Sequence, residues 1–261
     1  MKRLKNILKH DIVYTTSMVV ESRALSSNLF LIKMNIFREL KRPLPPQFVM
    51  VWVPGYEAIP MSIAHFDNNE LWIIVKPVGP TTRALSRVKK GDLLGLYGPL
   101  GKPLVPEGDK YLLLAGGSGI ATILHYLQVL SRHGKRCRVV FGCWRSDEVG
   151  VIPDLIKELG GEPVITCFDK ECDFYGTVGD YVSQVNIEQY DAIIACGPLL
   201  MLKDVTERVG CRDNFIVILD SLVKCGIGLC GSCKIGGEKD LFLCIDGPGF
   251  YLYQVRDLFG C

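Results

Sequence analysis

Tyr111-Leu112-Leu113-Leu114-Ala115-Gly116-Gly117-Ser118-Gly119-Ile120-Ala121 is the stretch that decides the fold. Its first five residues are apolar without alternation, the pattern of a strand buried on both faces. Glycines follow at 116, 117 and 119, and apolar residues then recur with helical spacing from Ile120 to His133. Strand, glycine turn and helix open a βα unit. Glycines at such a turn let backbone approach a pyrophosphate, and the helix N-terminus favours its charge. The turn is not the full G-x-G-x-x-G, and no Asp or Glu ends the next strand, where Phe141-Gly142-Cys143-Trp144 stands. A tight packing turn is the alternative reading.

Downstream, the same alternation continues. Strands are expected at Cys137 to Phe141, Pro163 to Thr166, Ala192 to Cys196 and Phe215 to Leu219, with helices at Val151 to Leu159 and Leu199 to Val209. That order predicts a parallel sheet with helices on its faces. Cys196-Gly197-Pro198 makes a second glycine turn at a strand end, where open α/β sheets bind ligands. Cys196 is either a neighbour of the bound ligand or a buried strand-end cysteine. Arg145 and Ser146, after the second strand, suit a 2′-phosphate, an adenosine or a helix cap.

Upstream, the pattern is β. Short runs at Leu29 to Met34, Phe48 to Val53, Leu71 to Val75 and Leu93 to Tyr97 alternate with turns such as Pro43-Leu44-Pro45-Pro46 and Asp67-Asn68-Asn69. A small antiparallel barrel is expected. A short helix is expected after Thr82, capped by its hydroxyl. Within the barrel, Ile59-Pro60-Met61-Ser62 places a serine that can bond a flavin ring edge. Val75-Lys76-Pro77-Val78-Gly79-Pro80-Thr81-Thr82 gives a turn whose backbone N–H groups can hold phosphate. Ordinary strand and turn residues are the bland reading, with Lys76 a solvated surface charge.

The last forty residues are rich in Cys and Gly. Cys225-Gly-Ile-Gly-Leu-Cys230-Gly-Ser-Cys233, then Cys244, has the C-x4-C-x2-C spacing of plant-type [2Fe–2S] ligands. The glycines let the loop wrap closely, with N–H groups free to face sulfur. Zinc held by four cysteines is the first alternative, although zinc sites more often use paired C-x2-C knuckles; unmetallated cysteines are the second. The remaining cysteines (137, 143, 167, 172, 196, 211, 261) are scattered, several in apolar runs where Cys acts as a small hydrophobe. Eleven cysteines, an odd number, do not suit a closed disulfide framework.

Three units follow: a barrel over 11–106, an α/β unit over 107–219 and a Cys-rich unit over 220–261. With 30 Lys plus Arg against 28 Asp plus Glu, the chain gives no reason to expect a nucleic-acid or anionic-membrane partner. It has no apolar run of membrane-spanning length, so no span is expected, and no apolar run of signal-peptide length follows Met1-Lys2-Arg3-Leu4-Lys5. A cytoplasmic protein is expected. His10, His65, His125 and His133 form no cluster and read as structural or surface residues.

Taken in order, these segments resemble the electron-transfer subunit of type B dihydroorotate dehydrogenase, a branch of the ferredoxin-NADP reductase superfamily with an added [2Fe–2S] domain. Pro60-Met61-Ser62-Ile63 looks like that family's R-P-x-S-I, with Ile59 where the family has Arg. Gly79 to Thr82 looks like its G-x-G-T, with Thr81 for the second Gly, and Gly98-Pro99-Leu100-Gly101 looks like its G-P-L-G. Gly116 to Ala121 and Cys196-Gly197-Pro198 resemble its nicotinamide segments. The cysteine loop with Cys244-Ile-Asp-Gly-Pro248 resembles its cluster domain most specifically. The resemblance implies FAD in the barrel, NAD(H) on the sheet and a cluster on Cys225, Cys230, Cys233 and Cys244. It also implies an FMN-containing dihydroorotate dehydrogenase catalytic subunit as partner, in a heterotetramer of two of each, serving pyrimidine biosynthesis. With Ile59 in place of Arg, flavin-phosphate binding would fall to Lys76, Arg83 and the helix after Thr82. Two alternatives stay open: a flavin/[2Fe–2S] subunit of a hydrogenase or ferredoxin-NADP reductase complex, and a non-enzymatic metal-binding interaction protein. Some of Ile227, Leu229, Phe250 and Tyr251 are expected to be exposed beside the cluster as an apolar patch facing the partner; packing onto the barrel, to close the cluster segment against it, is the alternative.

Overall fold

A computed structural model describes residues 13–236 and 240–260. The basic N-terminal residues, His10, the first residues of the barrel range and Cys261 lie outside the described residues.

Six strands close an antiparallel barrel: β1 (Thr15–Ala24), β2 (Phe30–Ile36), β3 (Phe48–Trp52), β4 (Ile59–Asp67), β5 (Glu70–Val75) and β6 (Leu93–Leu100), in the order β1-β2-β5-β4-β3-β6. Closure removes the exposed edges that an open sheet would present. The barrel core is built from the inward-facing half of each strand, including Val19, Ile32, Met34, Val49, Ile63, Ile73 and Leu96. Between β5 and β6 lies α1 (Pro80–Leu85). This corrects the expected helix start. Gly79 caps α1, and Thr82 is its third residue, with Oγ1 accepting from the N–H groups of Gly79 at 2.8 Å and Val78 at 3.0 Å. Pro80 sets the start, because its fixed φ and missing N–H suit a first helical position.

The second half is a seven-stranded sheet. Its strands are β7 (Lys110–Gly116), β8 (Arg136–Gly142), β9 (Glu162–Cys167), β10 (Phe174–Tyr175), β11 (Ala192–Cys196), β12 (Phe215–Ile218) and β15 (Gly249–Tyr251). The order is β10-β9-β8-β7-β11-β12-β15, parallel throughout except for β15. Helices α2 (Ile120–Arg132), α3 (Ile152–Glu158), α4 (Val178–Val182) and α5 (Leu199–Val209) cover its faces. A small hairpin, β13 (Lys234–Ile235) with β14 (Leu241–Phe242), and the short α6 (Leu243–Asp246) carry the end of the cysteine segment. The expected barrel and parallel sheet are thus both present.

Helix α2 joins the two halves. Ten of its residues are buried, polar Thr122, His125 and Gln128 among them. A helix buried nearly all round must face two partners: here the sheet on one side and β4 and β5 on the other. β4 pairs with β3 only as far as Ser62, so Phe66 has backbone groups with no strand on that side. Gln128 satisfies both, accepting from the Phe66 N–H at 3.1 Å and donating to its carbonyl at 2.9 Å. Beside it, His65 stacks on Trp72 at 4.3 Å and meets Gln128 Nε2 at 3.1 Å. A second seam is the β1–β2 loop, where Asn28 Nδ2 donates to Glu148 at 2.8 Å and Val151 N–H donates to the Leu25 carbonyl at 2.9 Å.

Two outcomes test this seam. Gln128→Leu should cost about 1–3 kcal/mol, the penalty of stranding buried backbone groups, read by urea unfolding followed by circular dichroism. Burial pushes the His65 imidazole down to about 4 and that of His125 down to about 3. Both are then neutral when folded but protonate in the unfolded chain below about 6.5. Stability should therefore be full above that pH and fall as pH drops from about 6.5 toward 4. A urea midpoint that does not move across that window would contradict the burial of these rings.

Candidate redox site

The glycine turn after β7 lies against the turn after β11. A Cβ at Gly119 would stand 2.2 Å from the Cys196 carbonyl oxygen, so the packing reading of this glycine holds. Gly117 differs. It has φ +52°, and its open side meets only Lys76 Nζ, 4.0 Å from where a Cβ would lie. Lys76 extends from the end of β5, so the barrel turn and the sheet turn share one cleft. Gly116 is buried beside Pro198 and Met201; Gly197 is half-buried and Pro198 exposed.

On the barrel side, Ile59, Pro60 and Ser62 are half-buried and Met61 is buried, all at the start of β4. Val75 and Thr81 are buried, Pro77, Gly79 and Thr82 half-buried and Lys76 exposed. The Thr82 hydroxyl is spent on its own turn, and Arg83 donates to the Val78 carbonyl at 3.0 Å. Among the expected replacements for the missing arginine, Lys76 is the one aimed into the cleft.

On the sheet side, Cys196 is free and buried. Burial pushes its thiol up to about 12, against a hydrogen bond with Thr122, and the Asp220 carboxylate raises it further. It is a neutral thiol at neutral pH, not a nucleophile. Asp220 stands just past β12 at the same end of the sheet, and desolvation raises its own carboxyl. Neither Thr122 nor Asp220 was expected from the sequence. For Asp220 a signal existed, since it directly follows a strand whose neighbours end in the cleft.

The four cysteines of the C-terminal loop stand in two pairs. The Cys230 N–H donates to Cys225 Sγ at 3.4 Å, and the two thiols interact directly. Cys233 and Cys244 sulfurs are 3.3 Å apart. Gly228 N–H donates to Cys244 Sγ at 3.1 Å, and the loop glycines 226, 228 and 231 have φ of +67°, +78° and +77°. The Ser232 hydroxyl, bonded to Cys230 Sγ at 3.1 Å, is the main cause that pulls that thiol down to about 6. Burial pushes Cys244 up to about 12. Among the described residues, no three His, Cys, Asp or Glu groups converge as ligands of a single ion. Four soft thiols in two pairs, with backbone N–H groups on sulfur, fit a two-iron cluster.

This loop rests on the barrel. Tyr97 of β6 donates its hydroxyl to the Cys225 carbonyl at 2.9 Å, and the backbone at Gly226 abuts Leu100 and Met50. The thiols of Cys225, Cys244 and Cys230 all act on the Tyr97 hydroxyl, which burial pushes up to about 12. The expected apolar patch is corrected. Ile227 and Phe250 are buried in the main core, Tyr251 is half-buried on β15, and only Leu229 is strongly exposed, at 63%. Of the scattered cysteines, Cys137 and Cys196 are buried free thiols, as expected. Cys167 and Cys172 form a disulfide and Cys211 is disulfide-bonded, whereas Cys143 is free.

Comparison with known proteins agrees with this geometry. Residues 220–256 match the iron-sulfur cluster binding domain of dihydroorotate dehydrogenase B. A probable dihydroorotate dehydrogenase B (NAD(+)), electron transfer subunit, from Thermococcus kodakarensis is 33% identical over 206 residues, 79% of this chain and 84% of that one. Its counterpart from Methanopyrus kandleri is 31% identical over 244 residues, 91% and 90% of the two chains. Among solved structures, an NADH-dependent reduced ferredoxin-NADP oxidoreductase, described for flavin-based electron bifurcation, superposes with TM-score 0.80 at 26% identity. That match covers 94% of this chain and 93% of the other. The ferredoxin reductase of carbazole 1,9a-dioxygenase shares the fold, with TM-score 0.67 at 21% identity over 78% and 68% of the chains.

The two glycines make separable predictions. Gly119→Ala drives a methyl into the Cys196 backbone and should cost about 3 kcal/mol, the upper range for overpacking. Gly117→Ala meets no backbone and should cost only the left-handed penalty of about 1–2 kcal/mol. Thermal unfolding of the two variants side by side checks the order.

Proposed function

The chain belongs to the family of electron transfer subunits of dihydroorotate dehydrogenase B, and from that membership we propose that it carries electrons between NAD(H) and a catalytic partner through FAD and a [2Fe–2S] cluster. The observation that carries this reading is one row across the barrel. Pro60 of the flavin segment pairs with Met50, Met50 pairs with Tyr97, and Tyr97 bonds the Cys225 carbonyl. Strands lie about 4.8 Å apart, so Pro60 and Tyr97 are about 10 Å from each other in this row, and the Tyr97 side chain reaches on from there to the loop that would hold the cluster. Lys76 and Gly117 face each other across the cleft on the other side of the same segment.

In this reading a flavin, when bound, converts the two-electron chemistry of nicotinamide into the one-electron chemistry of an iron–sulfur centre. The chain's own residues supply the frame. Gly117 lets the dinucleotide backbone approach, while Gly116 and Gly119 let its turn pack closely on Cys196-Gly197-Pro198, which closes that wall. Ile59, Pro60, Met61 and Ser62 form the flavin strand, and Val75, Lys76, Pro77, Gly79, Thr81 and Thr82 form the turn beneath its phosphates. With Ile59 in place of an arginine, Lys76 supplies the cation. Cys225, Cys230, Cys233 and Cys244 would ligate the cluster. No general acid or base is required of the chain.

The partner in this proposal is an FMN-containing dihydroorotate dehydrogenase subunit, two copies of each chain forming a heterotetramer in the cytoplasm. No helix among the described residues is long and apolar enough to cross a membrane. Exposed Leu229 sits next to Cys230, where a partner would meet the cluster. The ranges 11–106, 107–219 and 220–261 serve as flavin, nucleotide and cluster units, although β15 of the last joins the sheet of the second. The 0.80 superposition favours a second reading, in which the same chain serves a ferredoxin-NADP reductase complex instead.

Anaerobic purification from the native source tests the choice. The wild-type protein should carry flavin and cluster absorbance, NADH should bleach the flavin, and dihydroorotate should reduce NAD+ only when the partner is added. Cys230→Ser should lose the cluster absorbance and its reduced-state electron paramagnetic resonance signal, yet keep flavin reduction by NADH. Retention of the intact signal in that variant would refute the ligand assignment. Co-purification with a ferredoxin-linked subunit would favour the second reading.

A further inference from the structure

In dinucleotide-binding sheets a carboxylate past the second strand takes the ribose 2′-hydroxyl of the nucleotide that lacks a 2′-phosphate. Here β8 is followed by Cys143-Trp144, neither acidic, and the carboxylate that reaches back to this end, Glu148, is engaged by the Trp144 N–H at 3.0 Å and by Asn28 Nδ2 at 2.8 Å. The structure brings another in from the neighbouring strand. Asp169, in the loop after β9, accepts on Oδ2 from the Ser146 N–H at 2.7 Å and from the Ser146 hydroxyl at 2.9 Å. Ser146 lies just beyond β8, so these bonds draw the carboxylate across to the end of that strand. Gly116, Gly142 and Thr166 stand side by side in the register of β7, β8 and β9. The carboxylate is therefore one strand along from the glycine turn, where the adenosine half of a dinucleotide would extend.

Two further features suit an adenosine. Trp144 and Phe168 stack at 5.6 Å and Tyr175 meets Phe168 edge-on at 5.7 Å, with Trp144 71% and Tyr175 68% exposed. Aromatic faces open to solvent beside a carboxylate offer a purine a surface to stack on. The nearby cation that would welcome a 2′-phosphate is engaged elsewhere: Arg145 donates to both oxygens of Asp147, at 3.0 and 2.6 Å.

The Asp169 loop is pinned by its own chemistry. The Cys167–Cys172 disulfide closes it over a sequence separation of five. The Asp169 N–H donates to Cys167 Sγ at 3.3 Å, the Cys172 N–H to the Asp169 carbonyl at 3.4 Å, and the Phe168 N–H to the Trp144 carbonyl at 3.3 Å.

We propose that Asp169 is the residue that selects a nicotinamide dinucleotide without a 2′-phosphate, and that the Cys167–Cys172 disulfide is the bridge that positions it. The inference rests on the nicotinamide-dependent function proposed above. A ribose 2′-hydroxyl donates to this carboxylate, whereas a 2′-phosphate places like charge against it, with Asp147 and Glu148 close by.

The test is anaerobic stopped-flow reduction of the bound flavin by NADH and by NADPH. Asp169→Asn keeps an acceptor for Ser146 but removes the charge. Its KM for NADH should rise roughly tenfold, the loss of one charge-assisted hydrogen bond. Its KM for NADPH should fall, and the rate at saturation should stay at the wild-type value. Asp169→Glu should recover part of the preference. The paired Cys167→Ser, Cys172→Ser variant should shift the same ratio in the same direction, with flavin and cluster absorbance intact. On the wild-type protein AMP should compete more strongly than 2′,5′-ADP, a measurement that needs no variant to fold. If neither nucleotide bleaches the wild-type flavin, the proposed function fails. If NADH bleaches it but Asp169→Asn keeps the wild-type ratio, or AMP and 2′,5′-ADP compete equally, the role of Asp169 is overturned. If only the cysteine pair leaves the ratio unchanged, the positioning role of the disulfide is overturned.

Discussion

Two hydrogen bonds from one buried side chain hold this molecule in its working shape. Gln128 closes the backbone N–H and carbonyl of Phe66, which β3 leaves open, and so ties helix α2 to the barrel. The same helix begins at the glycine turn and carries Thr122 against Cys196. A shift of α2 along the barrel would therefore move the whole sheet-side wall of the cleft relative to Lys76. Buried polar contacts of this kind specify one arrangement, because sliding by a residue would leave the Phe66 groups unpaired in a dry interface.

The cysteine segment depends on the barrel and the sheet in turn. It buries Ile227, Cys233, Ile235, Phe242 and Cys244 in a core shared with Met50, Tyr97 and Leu100 of the barrel and with Phe215 and Val217 of the sheet. About forty residues with three short strands cannot make such a core alone. This is why the apolar residues expected at a partner surface are mostly spent inside. Leu229 remains outside because it sits on the loop crest beside Cys230, between glycines that turn the backbone away from the barrel.

What was legible in the sequence follows from burial. β7, β11 and β12 are covered on both faces, so their residues are apolar in nearly unbroken runs and their bounds could be read closely. β1 was missed because its outward half is Thr, Ser, Glu and Arg, and a bulge between Val19 and Glu21 breaks the alternation. α4 was missed although Thr177 and Asp180 make a reciprocal cap, because five residues carry too little periodicity. The start of α1 was misplaced because Thr82 looks like a cap and instead bonds backward to Gly79. The cluster ligands were legible because metal chemistry fixes their spacing. The Cys167–Cys172 bridge was not, since its spacing resembles that of any two cysteines in a loop. Asp169 was invisible for a related reason: its relevance arises from a bond to Ser146, 23 residues away and on another strand.

Burial drives the titratable groups of the cleft, the loop and the seam toward their neutral forms. Burial pushes Cys196 and Tyr97 upward and His65 and His125 downward, so each is held in its neutral form near neutral pH. Desolvation acts the same way on Asp220, raising its carboxyl. A site that must pass electrons without consuming protons benefits from this. With those thiol, phenol and imidazole groups far from titration, a change of charge on a bound redox group is not answered by their proton uptake. The charged side chains Lys76 and Arg145 are exposed, and Asp169 is half-buried at the sheet's end. The fold thus sets a neutral, desolvated stretch near β7, β11 and β12 beside a charged stretch at the ends of β8 and β9.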